Sequence, residues 1–303
     1  MIFGFALATA GCSASAPVTP TSTSAPPDAP YALSGTLRTT NGGTPVSGAS
    51  IAANSAATTT DAAGGYLLML PVAGPPTLSI TITGAGLVTR QSHVAATGPR
   101  SVNWDAISEV GFDMSFYREL VRNGLESATL EPVRRWTRSP SVYLQTTGID
   151  TATLTMVETV IRESVPQWTN GLQVATIEGG AGTREGQAGW MTVKWTQSND
   201  NHCGVAQIGL EGGWLELRTR VGCGCNGWMA RPSTVRHELG HAMGFYHTDQ
   251  PTDVMHATDR TCEKPITARE IAAAAVAYHR PVGNIDPDTD AIGTVNLVAK
   301  TAR

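Results

Sequence analysis

The stretch HELGHAMGFYHTDQPTDVMH, residues 237–256, holds four of the chain's seven histidines in twenty positions. His237 and His241 are four residues apart, and on a helix this spacing places them on one face, one turn apart. Two neutral imidazoles so placed can bind one metal ion, and zinc suits nitrogen ligands at about 2.0–2.1 Å. The stretch therefore predicts a helix that presents two ligands to zinc.

Residues around this pair supply the rest of a hydrolytic site. Glu238 can reach the open coordination position, where a carboxylate takes a proton from water and passes it to a leaving amine. Gly244 accepts the left-handed backbone that ends the helix, and His247 then returns from a loop as a third nitrogen ligand. We expect one catalytic zinc ion, with the fourth position left for water. A helix with incidental histidines is the simpler alternative, but it leaves this joint spacing unexplained.

The residues from His237 to His247 match HExxHxxGxxH and resemble the metzincin zinc endopeptidases. Asp253-Val254-Met255 resembles their Met-turn, at a spacing similar to the matrixins. The resemblance implies an α+β domain with a twisted mixed sheet, an active-site helix, a Met-turn at Met255 and a C-terminal helix. It also implies hydrolysis of a polypeptide bound in extended form along an edge strand, for which GVAQIGL and the run near Trp214 are candidates.

Two positions depart from the common metzincin pattern. Thr248 follows the third histidine, where matrixins commonly have Ser, and His256 follows the methionine, where Tyr is frequent. These departures leave the subfamily and the cleavage specificity open. We interpret His256 as a surface residue rather than a substrate-facing one, and Arg236 and Asp253 as candidates for contacts behind the metal ligands.

Local signals place the motif in a domain of residues 136–281. SVYLQTT predicts a first strand, Asp150 caps a helix, and GWMTVKWT, GVAQIGL and GWLELRT are strand-like. Thr267 and Glu270 form a capping-box pattern at the start of the last helix. Residues 282–303 read as a polar tail.

The tail carries carboxylates at alternate positions, Asp286, Asp288 and Asp290. A calcium loop begins in this way, but its glycine and closing glutamate are missing, so calcium stays possible and unsupported. We interpret the segment as a solvated acidic tail.

Residues 31–104 change character. Short alternating runs between Gly, Pro and Asn turns predict a small all-β sandwich. The turn at residues 45–49, and Thr60-Asp61 followed by Gly64-Gly65-Tyr66, resemble the carboxypeptidase-regulatory-like, transthyretin-like family. That family is mostly an accessory module, and His93 is expected to be a lone surface histidine.

Residues 105–135 are expected to form a connector that is helical in part. Asp113 can cap a helix there, and Asn123-Gly124 is a plausible stop.

Residues 1–12, MIFGFALATAGC, are interpreted as a signal peptide whose Ala-Gly-Cys ending resembles a bacterial lipobox. The resemblance implies acylation of Cys12. Residues 13–30 are rich in Ser, Thr and Pro and predict an extended linker. We expect export and lipid anchoring to the bacterial cell envelope, with plain secretion as the alternative. Contact with a membrane is expected only through this anchor, since no other segment is apolar for long enough to span one.

The four remaining cysteines suggest two disulfides in an exported chain. A bond between Cys223 and Cys225 would close a very tight ring, so each is expected to pair with one of Cys203 and Cys262. A cysteine-based zinc site is the competing interpretation, although Cys-x-Cys lacks the usual ligand spacing. A net charge of −4 offers no basic surface for nucleic acid. The oligomeric state is unknown, and a monomer is expected.

The leading hypothesis is an exported zinc endopeptidase. The alternative is a non-catalytic surface binding or adhesion lipoprotein, in which the sandwich binds a partner and the zinc site is vestigial or structural. Glu238 argues against that alternative, because a structural site has no use for a carboxylate beside an open position. A hydrolase of another amide, such as one in cell-wall peptide, would share the chemistry and differ only in substrate.

Overall fold

The computed structural model describes residues 30–71, 76–198, 200–258, 261–293 and 295–302. Cys12, the signal-peptide region and all of the linker except its last residue lie outside the described residues. Within the described ranges the chain is rich in β-structure, with three sheets and four helices. None of those helices is long and apolar enough to cross a membrane.

The first two sheets lie in the region predicted to be a sandwich. They contain strands β1 (Tyr31–Thr39), β2 (Ser50–Ala53), β3 (Ala56–Thr59), β4 (Gly65–Leu70), β5 (Thr77–Thr83), β6 (Arg90–Ala95), β7 (Arg100–Ser101) and β8 (Trp104–Ala106). One sheet has the order β4-β1-β7, with β8 also on β1, and the other has the order β3-β2-β5-β6. Alternate residues of both sheets, such as Leu33, Ile51 and Ile80, share one buried core, as the period of two predicts.

Helix α1 (Met114–Arg122) follows the second sheet. The side chain of Asp113 accepts a hydrogen bond from the backbone N–H of Phe116, and Asn123 ends the helix in the left-handed conformation. The predicted cap and stop are both confirmed.

The third sheet forms the framework of the histidine region. Its strands are β9 (Ser141–Gln145), β10 (Thr176–Gly180), β11 (Trp190–Thr196), β12 (Gly204–Gln207), β13 (Trp214–Arg218) and β14 (Thr301–Ala302), in the order β10-β9-β11-β13-β12-β14. The first four strands in that order pair in parallel, whereas β12 is antiparallel to both β13 and β14. Three helices lie in the same part of the chain as this sheet: α2 (Thr151–Trp168), α3 (Pro232–Met243) and α4 (Ala268–Tyr278).

The strand order differs from the expectation that GVAQIGL or the run near Trp214 forms a free edge. β13 lies between β11 and β12, so the run near Trp214 is not an edge strand. β12 carries β14 on its outer side, where Ala302 pairs with Ala206. Ala302 also packs with buried Ile208 and Tyr246. The sequence pattern does not reveal this strand, because two residues are too few to show a period.

The acidic tail is also different from the prediction. Asp288 is 0% exposed and Asp290 is 7% exposed, so the interpretation as a solvated tail is wrong. The Arg280 guanidinium binds Asp288 with an Nη2–Oδ2 distance of 2.7 Å, and Arg90 of β6 binds Asp290 at 3.0 Å. The carboxylates are buried because arginines that are distant in sequence neutralise them.

Candidate metal centre

Helix α3 places the two motif histidines. Pro232 occupies its first turn, where the missing N–H costs nothing, and Gly244 ends it with φ of 115°. A Cβ at position 244 would overlap the backbone oxygen of Arg134, so both the conformation and the space require glycine. The chain reverses direction at Gly244, which brings His247 back beside α3.

The three predicted ligands converge. The Nε2 atom of His241 lies 3.1 Å from Nε2 of His237 and 3.2 Å from Nε2 of His247. Nitrogens bound tetrahedrally at about 2.0–2.1 Å from one ion would lie roughly 3.3–3.4 Å apart, close to these values. The rings are buried, with exposures of 9%, 0% and 3% in chain order. In the described part of the chain, no other group of three His, Cys, Asp or Glu side chains has this geometry.

The opposite ring nitrogens are all engaged by acceptors. Nδ1 of His237 lies 2.7 Å from the backbone oxygen of Val254, and Nδ1 of His241 lies 2.7 Å from that of Phe245. Nδ1 of His247 lies 2.6 Å from Oε1 of Glu126. These acceptors require the protons on Nδ1, so the three Nε2 lone pairs face one another. Facing lone pairs repel, and a cation between them removes the conflict, so these residues fit a metal ion.

Burial keeps the central ring neutral. Desolvation lowers the pKa of His241 well below its ordinary value, and the neighbouring His237 and His247 lower it further. A neutral imidazole is the form that binds a metal.

Glu238 is the carboxylate beside the cluster. It is 3% exposed, and among the described residues its Oε2 has no hydrogen-bond partner. Burial raises the pKa of Glu238 well above its ordinary value, while the charge of Arg218 lowers it and that of Glu216 raises it. A Cβ on Gly204 would overlap the Glu238 side chain, so the glycine at the start of β12 leaves room for it. The carboxylate is therefore placed where a proton carrier would be needed.

Met255 packs against α3 at Gly240. It is fully buried, and a Cβ on Gly240 would overlap its sulfur and crowd Trp168. Gly240 stands between the two ligand histidines of α3. The glycine of the motif therefore allows the methionine to approach the helix backbone closely.

Two acidic residues hold the Met255 turn in place. Glu270 accepts hydrogen bonds from the backbone N–H groups of Met255, at 2.9 Å, and Thr267, at 2.7 Å, so the predicted capping box also anchors the turn. Asp253 is 0% exposed, accepts from Thr248 at 2.9 Å, and pairs with Arg269. Asp253 therefore acts behind the site by bracing the loop after the third histidine, and it contacts no ligand ring directly.

Other predicted residues lie elsewhere. Arg236 pairs with Glu263 at 2.9 Å, so it does not support the ligands. His93 lies 3.2 Å from the backbone oxygen of Asp290, away from the cluster. His256 is partly buried and lines the cleft beside Glu238, not the open surface that was expected.

The four cysteines form the two predicted disulfides, in place of a cysteine-based zinc site. The pairs are Cys203–Cys223 and Cys225–Cys262. Each of Cys223 and Cys225 thus pairs with one of the outer cysteines, as the tight ring between them required.

No sequence pattern points to Glu126 or Arg218. Glu126 lies 121 residues before the histidine that it contacts, and Arg218 reaches the site from β13. Neither residue belongs to a motif, and only the fold brings them to the site.

Comparisons with known proteins add little. No family model matches the chain, and no curated protein matches it significantly. Among solved structures, it is similar to a C-terminal interface mutant of a type II cohesin–X-dockerin complex from Acetivibrio cellulolyticus. That match is 20% identical, has a TM-score of 0.21, and covers 24% of this chain and 52% of that chain. A similarity at this level supports no argument about function.

Proposed function

We propose that the chain is an exported zinc endopeptidase of the metzincin type, with its catalytic domain in residues 136–281. One observation carries the proposal. The Nε2 atoms of His237, His241 and His247 converge while each Nδ1 faces an acceptor. Beside them lies the Glu238 carboxylate, whose Oε2 has no hydrogen-bond partner among the described residues. A ligand set with three nitrogens and a nearby base is typical of hydrolytic zinc sites.

A bound Zn²⁺ would polarise the scissile carbonyl and lower the pKa of a water at the fourth position. Glu238 accepts the proton of the attacking water and delivers it to the leaving amine nitrogen. Burial raises the pKa of Glu238, so its carboxylate holds this proton more tightly than an exposed carboxylate would. Glu126, Val254 and Phe245 hold the imidazoles in the tautomer that has its proton on Nδ1. The Nε2 lone pair is then left for a metal ion.

The substrate is proposed to be a polypeptide in extended form, paired with β12. β12 begins at Gly204, against Glu238, which brings a backbone paired with it close to the base. β14 already pairs with Ala206 and Gln207, so a long peptide has to displace it or bind beyond it.

For location and assembly we propose what the sequence predicts: export, a lipid anchor and a monomer. The two disulfides agree with an oxidising compartment, and a lipid anchor at Cys12 would hold the domain at the cell envelope through the linker. The β-sandwich is proposed to be an accessory module and the chain a monomer. Loss of palmitate labelling in Cys12→Ala would test the anchor, and labelling that persists would exclude it.

Metal content and peptide cleavage test the central proposal. We expect one zinc ion per chain in both the wild type and Glu238→Gln, with turnover lowered by about 10²–10⁴-fold in the variant because the proton carrier is lost. Glu158→Gln is the matched control, since among the described residues Glu158 makes only an exposed pair with Arg162 on α2. That control should keep full activity.

Two results would contradict the proposal. A purified chain without stoichiometric metal would remove the basis for the site. Retained zinc without cleavage of any member of a broad peptide library would favour the binding lipoprotein instead.

A further inference from the structure

A cleft of about 910 Å³ opens beside the histidine cluster. Its walls include residues 202–204 before and at the start of β12, the loop 220–222, and residues 256–258 after the Met-turn. The disulfide between Cys203 and Cys223 joins the first two walls. The cleft is therefore built from covalently linked segments and has a defined shape.

Two arginines that line this cleft have no counter-charge among the described residues. Among the described residues, the side chain of Arg220 makes no hydrogen bond or ion pair, and its Nε is buried without a partner. The Arg231 side chain donates to the backbone oxygen of Gly222 and has no ion pair within the described ranges. Partly buried guanidinium groups without a carboxylate are costly, so the cleft favours an anion.

A neighbouring arginine shows the contrast. Arg218, two residues before Arg220, pairs with Glu216 at 3.0 Å and with Asp200 at 3.1 Å. Glu238 is the one carboxylate among the described residues that line the cleft, and it lies at the metal end. The imbalance of charge is therefore local to the cleft, in a chain whose net charge is −4.

The strand pairing indicates which part of a peptide enters the cleft. β14 runs antiparallel to β12, with Thr301 opposite Gln207 and Ala302 opposite Ala206, so it runs towards Gly204 and the metal centre. A peptide paired in the same direction reaches the metal with its N-terminal half. Its C-terminal half then continues past Gly204, into the cleft.

We propose that Arg220 and Arg231 select peptides with Asp or Glu directly after the scissile bond. The inference rests on the proposed function and adds the substrate class. A guanidinium presents a planar fork of N–H donors that matches a carboxylate, and the pair is strongest where water is partly excluded. An amide of the same shape lacks the charge and leaves the arginines uncompensated.

Matched peptides test the selection. Fluorogenic peptides that differ only in the residue after the scissile bond, Glu against Gln and Asp against Asn, should differ about 10–100-fold in kcat/KM in favour of the acid. Moving the Glu to the position before the scissile bond should remove the advantage. A preference for the amide or for an apolar residue would overturn the inference.

Variants assign the effect to the two arginines. The ratio of acid to amide should fall towards one in Arg220→Gln combined with Arg231→Gln. Arg236→Gln is the control, because Arg236 lies on α3 but pairs with Glu263 and does not line the cleft. The control should keep the wild-type ratio. A ratio that survives the double substitution would show that other groups read the carboxylate.

A binding measurement separates this inference from the proposed function. Fluorescence anisotropy of labelled peptides on Glu238→Gln, which is expected to be inactive, should give a Kd about tenfold or more lower for the Glu peptide than for its Gln partner. Cleavage without this preference would refute the selection and leave the peptidase standing. Preferential binding without cleavage in the wild type would refute the peptidase and leave the anion-binding cleft standing. Equal binding of both peptides would overturn the inference in either case.

Discussion

The histidine cluster and the acidic segment 286–290 are both buried groups of titratable side chains, yet their polar atoms are paired in different ways. In the acidic segment each buried carboxylate meets an arginine, as Asp288 meets Arg280 at 2.7 Å. In the histidine cluster every Nδ1 has an acceptor, but the Nε2 atoms face one another at 3.1–3.2 Å. Polar groups that satisfy one another stabilise a fold, whereas polar groups that converge without satisfying one another indicate a ligand.

The largest expected effect comes from removing a ligand. His241→Ala leaves two imidazoles, so metal should be lost on dialysis and peptide cleavage should fall below detection. Metal per chain, measured by mass spectrometry, checks this. His93→Ala is the control, because His93 lies outside the cluster, and it should keep its metal. If His241→Ala kept its metal, the histidine cluster would not be the metal site, and its contrast with the acidic segment would fail.

The acidic segment should respond in the opposite way. Arg280→Met leaves Asp288 buried without its partner, and breaking a buried pair costs roughly 3–5 kcal/mol. Urea denaturation should show this loss in the free energy of unfolding, while metal per folded chain stays at the wild-type level. Loss of metal with unchanged stability would mean that the two clusters are coupled.

Glu126 tests whether an acceptor at Nδ1 contributes to metal affinity in the histidine cluster. Glu126→Gln keeps an acceptor for Nδ1 of His247 but removes its charge, so metal affinity should fall by about tenfold, the lower end of the range for such partners. Competition with a chelator measures the affinity. Glu185→Gln, which alters an exposed pair with Lys194, should leave it unchanged. An unchanged affinity in Glu126→Gln would show that Glu126 does not position the ring.

The smallest expected effect is a dependence of stability on acid. Burial alone would raise the pKa of Asp105, but the hydrogen bond from His279 and the charges of Arg280 and Arg90 hold it well below its ordinary value of 3.8. Asp105 therefore stabilises the fold above about pH 4, and this contribution is lost as the pH falls towards its folded pKa. Wild type and Asp105→Asn should differ in stability at neutral pH and converge in acid. A constant difference would contradict the assignment.

Local chemistry explains what the sequence could predict. The caps at Asp113, Asp150 and Thr267 each depend on residues within three positions, and all three are present. The spacing of His237 and His241 likewise needs only one helix.

Long-range pairing explains what it could not. Arg90 and Asp290 are 200 positions apart, and the two residues of β14 join a sheet whose other strands end at residue 218. A charged residue has the same local sequence whether water or a distant arginine surrounds it. The sequence pattern therefore places the acidic segment in solvent and does not single out Glu126.

The bond between Cys203 and Cys223 ties the strand that begins beside Glu238 to the loop that carries Arg220, and Cys225–Cys262 tethers the same loop from its other side. Reduction of both disulfides by a phosphine, which is not a thiol ligand for zinc, would release both tethers while the buried framework around α3 keeps its hydrogen bonds. If the proposed function is right, reduced samples should keep their metal yet lose discrimination between acidic and neutral peptides. On that proposal, the redox state of the buffer alone decides whether the chain is selective or promiscuous in an assay.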